Sequence, residues 1–261
     1  MGADAAASAP GPVLAVEGLS KSFGRQQVLR GIDLAVRPGE LTVVLGANGS
    51  GKSTLLRCAM RLIEPDAGTV TLCGKSLLDR RGDDLRQARR AAAMVFQQVL
   101  LVRRRTALEN VEFGALGELP FHRSLSTRLF PGELRSRAFE ALERVRLADF
   151  AHQRAGTLSG GQAQRVAVAR ALCQRARVIL ADEPVASLDP RAAESVLSLL
   201  ADVAHNDQLG VLVVLHQPEL ARRYADRLVG FLTGEISFDS APSAVTDEQI
   251  ALLYADEDDE A

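Results

Sequence analysis

One short run does most to limit what this chain can fold into. Gly46-Ala47-Asn48-Gly49-Ser50-Gly51-Lys52-Ser53 fits the spacing G-x-x-x-x-G-K-[ST], and it stands between an apolar run, LTVVL, and a segment of helical character, STLLRCAMRL. Residue frequencies alone produce such a string in on the order of one chain in a hundred of this length. The flanking strand and helix supply the context that the spacing needs. Glycines let successive backbone N–H groups turn inward around phosphate oxygens, and the start of the following helix adds partial positive charge. Lys52 is placed to reach the β and γ phosphates of a nucleotide. Ser53, followed by Thr54, is placed to meet Mg²⁺.

A strand that feeds a phosphate loop and then a helix belongs to an alternating architecture, and the rest of the chain agrees. Leu41 to Leu45, Val178 to Ala181 and Val211 to Leu215 are continuous apolar runs, each followed by a helical stretch, as in strands buried on both faces of a parallel sheet. The expected fold is α/β, a P-loop core around a mainly parallel sheet. Val13 to Val16 and Val28 to Val36 are expected to pair as antiparallel strands around a turn near Gly24 and Arg25, giving a small β subdomain. Between Gln97 and Ser159 the strand signal is lost, and Glu133 to Leu147 carries apolar residues at helical spacing. A helical insert over about residues 98–175 is expected, within one domain spanning 13–254. Residues 1–12, rich in Ala, Gly and Pro, are expected to be disordered, and 255–261 to form a solvated acidic tail.

Composition narrows the partners. With 47% hydrophobic residues among 261, the chain can bury a full core. Its formal net charge of −2 lacks the basic excess of a protein held mainly by nucleic-acid phosphates, so no nucleic-acid partner is expected. Cys58, Cys73 and Cys173 stand far apart with no C-x-x-C pair, which favours ordinary packing in a reducing compartment. No apolar stretch approaches the ~18 residues of a membrane span, and Asp4 stands where a secretory leader would be basic. A cytoplasmic location is expected, with any membrane contact made through a partner.

Val178-Ile179-Leu180-Ala181-Asp182-Glu183 is an apolar strand ending in two acids. The carboxyl ends of parallel strands are where α/β sheets place ligands. Two adjacent carboxylates need a cation or a proton to relieve their repulsion. Asp182 is therefore the candidate for holding Mg²⁺, directly or through water, and Glu183 for orienting and polarising an attacking water.

Leu158-Ser159-Gly160-Gly161-Gln162 then opens the helical run AQRVAVARALC. Ser159 at an N-cap and two glycines after it expose backbone donors at a second helix start, another ready anion site. This five-residue string resembles the signature motif of ABC ATPases, and the pattern around it is similar to that family from about Leu14 to Tyr254. The resemblance implies further roles. Gln97, after the run AAMVF, resembles the glutamine that contacts Mg²⁺ or the lytic water and senses a permease. His216 resembles the switch histidine that contacts the γ phosphate. Ser187-Leu188-Asp189 resembles the D-loop, which crosses a dimer interface, and Phe23 stands where an aromatic ring stacks on adenine. In such proteins two ATP-binding subunits face head to tail, each ATP lying between the P-loop of one and the signature Ser159, Gly160, Gly161 and Gln162 of the other.

The implied partners are a second copy of the chain, a transmembrane permease at the cytoplasmic face of the membrane and, indirectly, a solute-binding protein. Val99 to Leu101 and Phe113 are the expected apolar contacts for the permease. ADEPVASLDP, HQPELARRYADRLVG and the insert with LENVEFGALG and HRSL most resemble ATP-binding subunits of phosphonate importers. His122, where those proteins often have Trp, and Ala163, which interrupts a run of glutamines, depart from that pattern. ABC ATPases that act on DNA or ribosomes resemble this core too, but carry long coiled coils or two ATPase cores in one chain.

Overall fold

The computed structural model describes residues 11–119 and 130–255. The expected N-terminal tail through residue 10, the stretch holding His122 and HRSL, and the acidic run from Asp256 lie outside the described residues. Gly11 and Pro12 are exposed and carry no regular structure.

Strand β1 (Leu14–Phe23) and strand β2 (Gln26–Val36) form a hairpin through Gly24 and Arg25, with Leu14 opposite Val36 and Phe23 opposite Gln26. β1 runs well past the apolar residues that announce it, because pairing with β2 carries it on through three register shifts. β3 (Leu41–Leu45) leads through the glycine-rich loop into α1 (Lys52–Ala59). β4 (Ala67–Leu72) and the two-residue β5 (Lys75–Ser76) return antiparallel, completing a four-stranded sheet in the order β2-β1-β4-β5. α2 (Gly82–Arg89) connects this sheet to β6 (Ala92–Phe96).

The main sheet has six strands. After β6 come β7 (Val178–Asp182), β8 (Gly210–Val214), β9 (Arg227–Leu232) and β10 (Glu235–Ser240), in the order β10-β9-β3-β8-β7-β6. Five strands run parallel, and β10 turns back antiparallel on β9 at one edge. The parallel strands read as unbroken apolar runs because both of their faces are covered. Leu41, Val43 and Leu45 point into one core, and Val44 into the other, where the four-stranded sheet and α1 pack. β7 and β8 alternate in the same way, so the sheet is a wall between two apolar layers.

The first of those layers is closed by helices. α3 (Ala107–Glu112), α4 (Gly132–Arg144) and α5 (Gly160–Cys173) pack on one another between β6 and β7, and α6 (Pro190–Asp207) lies against α5 and β3. Among the described residues of this stretch only an isolated bridge, Thr106 to Arg154, has strand character. α4 stops three residues short of Leu147. There Arg146 takes a left-handed φ of 58°, the N–H of Leu147 bonds to the carbonyl of Leu142 at 2.8 Å, and that of Arg146 to Glu143 at 2.9 Å. This is a helix-closing turn that keeps Val145 and Leu147 buried while ending the helix. α7 (Pro218–Tyr224) and α8 (Asp247–Leu252) complete the α-helices among the described residues. No helix among the described residues is long and apolar enough to cross a membrane.

Candidate nucleotide-binding and catalytic site

The sheet delivers its chemistry at one end. β3 ends at Leu45, β7 at Asp182 and β8 at Val214, three adjacent parallel strands whose carboxyl ends carry the phosphate loop, the two acids and His216. The loop is tight because only glycine fits at two of its positions. A Cβ on Gly46 would stand 2.2 Å from the carbonyl oxygen of Phe231, and one on Gly51 2.7 Å from that of Val28. Gly51 also takes a φ of 111° as the residue just before α1, and no side chain caps that helix. Its first N–H groups therefore stay available to an anion.

Lys52 is 4% exposed, and its ammonium folds back on the loop, donating to the carbonyl oxygens of Gly46 at 2.9 Å and Ala47 at 2.5 Å and to the Ser50 hydroxyl at 3.2 Å. A buried ammonium must have acceptors, and these carbonyls serve where phosphate oxygens would compete for it. Beside Asn48 and Gly49 an open cleft of about 750 Å³ runs between the β1–β2 turn, at Arg25 and Gln27, and the β9–β10 turn, at Thr233 and Gly234. The volume falls within the range of nucleotide-sized ligand sites, about 300–1,000 Å³.

Ser53 donates its hydroxyl hydrogen to Asp182 Oδ1 at 2.8 Å, joining the loop to the end of β7. Asp182 is buried, and its pKa is raised above the usual aspartate value, first by burial and then by the charge of Glu183, with the Ser53 hydroxyl opposing. A hydroxyl and a carboxylate side by side are hard oxygen donors suited to Mg²⁺, and a cation there would relieve the cost of the buried charge. Among the described residues there is no cluster of three His, Cys, Asp or Glu that could hold a metal.

Glu183 stands in a left-handed backbone conformation, φ 48°, an uncommon one for a residue with a side chain. Its N–H bonds to the Val214 carbonyl at 3.2 Å, which fixes the turn out of β7. Its Oε1 lies 2.5 Å from His216 Nε2, so the carboxylate and the imidazole are joined across the strand ends. A cavity of about 150 Å³ bounded by Glu183, Ala186, Leu215 and His216 adjoins the pair, room for several waters at about 30 Å³ each. Gln97 follows β6 directly, with Phe96 opposite Asp182 in register, and its side chain is exposed.

The second glycine pair sits elsewhere. Ser159 caps α5 by accepting from the Gln162 N–H at 3.2 Å, while the Gln162 side chain accepts from the Ser159 N–H at 2.8 Å. This capping box orders the turn, with Ser159 and Gly160 exposed, Gln162 half-buried and Gly161 buried. A Cβ on Gly160 would stand 2.8 Å from the Leu188 Cδ2, and one on Gly161 3.0 Å from the Ala192 Cβ. The D-loop and α6 of the same chain therefore brace this helix start from behind. Asp189 caps α6, accepting from the Ala192 N–H at 3.0 Å.

The structure thus brings together Lys52, Ser53, Asp182, Glu183 and His216, and sets Ser159 to Gln162 on a separate helix start. Phe23 is not a core residue: it is 50% exposed at the hairpin tip, with the Lys21 ammonium 5.5 Å from its ring centre. Of the apolar residues expected to meet a partner, Leu100 is 62% exposed, whereas Val99 and Leu101 pack partly against the core. Gln164 was not expected at the site. It is buried on α5 and donates to the carbonyl oxygens of Phe96 at 3.3 Å and Gln97 at 3.1 Å, tying the signature helix to the segment that carries Gln97. A glutamine at core spacing, with Gly161 and Val168 on the same face, was the signal in the sequence.

A phosphate loop, a paired acid and histidine, and a second capped glycine turn on one sheet scaffold define an ATP-binding cassette. The chain belongs to the ABC transporter family, whose model matches residues 29–186. It is 45% identical over 244 residues to the phosphonates import ATP-binding protein PhnC 1 of Ruegeria sp. (strain TM1040), covering 93% of this chain and 95% of that protein. It is 45% identical over 247 residues to the corresponding PhnC of Escherichia coli (strain K12), covering 93% and 94%. Its fold matches the ADP conformation of an ATP-binding cassette of an ABC transporter at a TM-score of 0.82, with 27% identity over 94% of this chain and 99% of that one. A dimeric cassette in a post-hydrolysis state with ADP and Pi matches at 0.75, with 33% identity over 88% and 98%.

Proposed function

We propose that this chain is the ATP-hydrolysing subunit of an importer for phosphonates or a related phosphorus oxyanion, working as a pair at the cytoplasmic face of a membrane permease. The observation that carries the substrate class is 45% identity along 93% of the chain to phosphonates import ATP-binding proteins. The observation that carries the chemistry is the meeting of the phosphate loop, Asp182, Glu183 and His216 at the carboxyl ends of β3, β7 and β8.

In this reading ATP enters the cleft beside Asn48, with its phosphates cradled by the N–H groups of residues 46 to 54 at the start of α1. Phe23, at the hairpin tip, offers its exposed ring face to adenine. Lys52 exchanges the Gly46 and Ala47 carbonyls for the β and γ phosphates. Ser53, Asp182 and Gln97 would be the oxygen donors for Mg²⁺, which would supply positive charge against the phosphates. Glu183 accepts a proton from the attacking water, held in the cavity next to it. His216 fixes the Glu183 carboxylate and is the group that meets the γ phosphate.

The turn that Ser159 and Gly160 expose at the start of α5 has no nucleotide of its own in this arrangement. A second copy, related head to tail, supplies the phosphates for it; a cassette that shares the fold is dimeric and binds ADP and Pi. Asp189 reaches that interface through the D-loop. Leu100 is exposed, and its carbonyl accepts at 2.9 Å from Arg170, which lines a groove of about 370 Å³ with Met94, Phe113 and Leu116; this groove receives the permease. The direct test is uptake of radiolabelled methylphosphonate by cells that make the chain with its neighbouring permease and binding protein. Uptake is expected with the wild-type chain and not with Lys52→Ala; uptake that is equal in both would overturn the proposal.

A further inference from the structure

Away from the nucleotide cleft, a pocket of about 200 Å³ lies between the turn that ends α4 and the side of α6. Its polar walls are Arg144, Arg146, Arg165, Ser195, Ser198 and Asp202. The size is well below that of a nucleotide site and fits a small ion with a few waters at about 30 Å³ each.

The charges do not balance. Arg144 pairs with Asp202 and, at 3.0 Å, with Asp207. Three guanidiniums line the pocket against one lining carboxylate, Asp202; even with Asp207, which pairs with Arg144 from outside the lining, positive charge is in excess. Arg165, on α5, is the uncommitted member. Its Nε is fully buried and has no hydrogen-bond partner among the described residues. Its charged form is disfavoured first by burial and then by the charge of Arg146. With Nε closed off, the terminal nitrogens of the guanidinium are what Arg165 offers to a ligand in the pocket. Arg146 comes to the same pocket by the left-handed turn that closes α4. Ser195 and Ser198, three residues apart on α6, present two hydroxyls on one helix face.

We propose that this pocket is a binding site for a small tetrahedral oxyanion of the phosphate class. Arg165 and Arg146 supply the charge, Ser195 and Ser198 supply hydroxyl donors, and the Arg144–Asp202 pair forms the wall. Guanidiniums with short hydroxyl donors suit such an ion, since an oxyanion accepts several charge-assisted bonds at once. Occupancy ties the α4 turn to α6, the helix that begins at Pro190 under its Asp189 cap and braces Gly160 and Gly161. The ion thereby stiffens the joint between the helices that pack on α5 and the sheet core. The site does not depend on the identity of the imported solute.

The test is isothermal titration of the full chain with inorganic phosphate, the nucleotide cleft being filled beforehand with a non-hydrolysable ATP analogue and Mg²⁺. One phosphate per chain is expected to bind, displaceable by sulfate. Arg146→Ala and Arg165→Gln should each weaken it about tenfold or more, the loss of one charged hydrogen bond. Because Arg146 is exposed, its replacement leaves the fold intact even if Arg165→Gln does not. Heats of dilution alone, or phosphate binding unchanged in Arg146→Ala, would overturn the proposal.

Discussion

Replacing Glu183 by glutamine isolates the chemical step from everything that surrounds it. The amide keeps the size and shape of the carboxylate, and its oxygen can still accept from His216 across the 2.5 Å contact. The strained turn, its bond to Val214 and the adjoining cavity are untouched. Only the ability to take a proton is lost. A positioned general base is worth about 10²–10⁴ in rate. At about 1.36 kcal/mol per factor of ten, the barrier rises by roughly 3–5 kcal/mol. The expected fall in kcat is about a thousandfold. Binding should hold or tighten, because Glu183 adds negative charge next to the buried Asp182 and next to incoming phosphates. Phosphate release at saturating Mg-ATP measures the first effect. Light scattering of the eluted protein with and without ATP measures the second, as dimer that persists because the nucleotide is not consumed. A variant that still turns over within about tenfold of wild type would refute Glu183 as the base. Loss of nucleotide binding would refute the claim that its role is confined to the chemical step.

Other consequences follow from the same geometry. Lys52→Ala removes the buried ammonium and should weaken ATP binding roughly ten- to hundredfold, the worth of charged hydrogen bonds at about 1.5–3 kcal/mol; titration with a fluorescent ATP analogue reads it. Asp182→Asn should raise the melting temperature of the nucleotide-free protein, by about 2–4 °C per kcal/mol recovered, while abolishing Mg²⁺-dependent hydrolysis. The sign follows from the raised pKa of Asp182: between the ordinary aspartate value and the folded value the folded chain binds more protons than the unfolded one. Wild-type stability should therefore decline as pH rises through that window, and the decline should be absent in Asp182→Asn. Cysteine at Leu100, exposed near the Phe113 groove, should crosslink to the permease in the assembled complex, and a complete failure there would remove the docking surface.

Much of this site is legible in the sequence because each part is contiguous. The phosphate loop, the acids after β7 and the capped turn before α5 are strings whose geometry is local, so residue order alone fixes it. The parallel strands are legible because burial on both faces writes unbroken apolar runs. β4, β5 and β10 are not announced in that way: they alternate, or are half exposed, and depend on neighbours far along the chain. The same limit hides the residues that join elements. Gln164 acts on Gln97, 67 positions away, and Arg165 meets Arg146 and Ser198 only after α4, α5 and α6 have packed. Phe23 could have served in the core or at the surface, and only the length of the β1–β2 hairpin decides for the surface. Leu147 reads as helix by periodicity, yet the backbone closes at Arg146, because a helix-ending turn also buries an apolar residue.

The central claim is coupling between this chain and a phosphorus oxyanion that it does not itself bind for transport. The measurement is ATP hydrolysis by proteoliposomes holding the chain, its cognate permease and binding protein, with methylphosphonate added or withheld. A ligand shifts the rate only through the states of a protein that it binds. Stimulation is therefore predicted in the full assembly, by methylphosphonate or by phosphate, phosphite or a phosphate ester. Stimulation by an amino acid or a sugar, with no response to any phosphorus oxyanion, would contradict the phosphonate assignment.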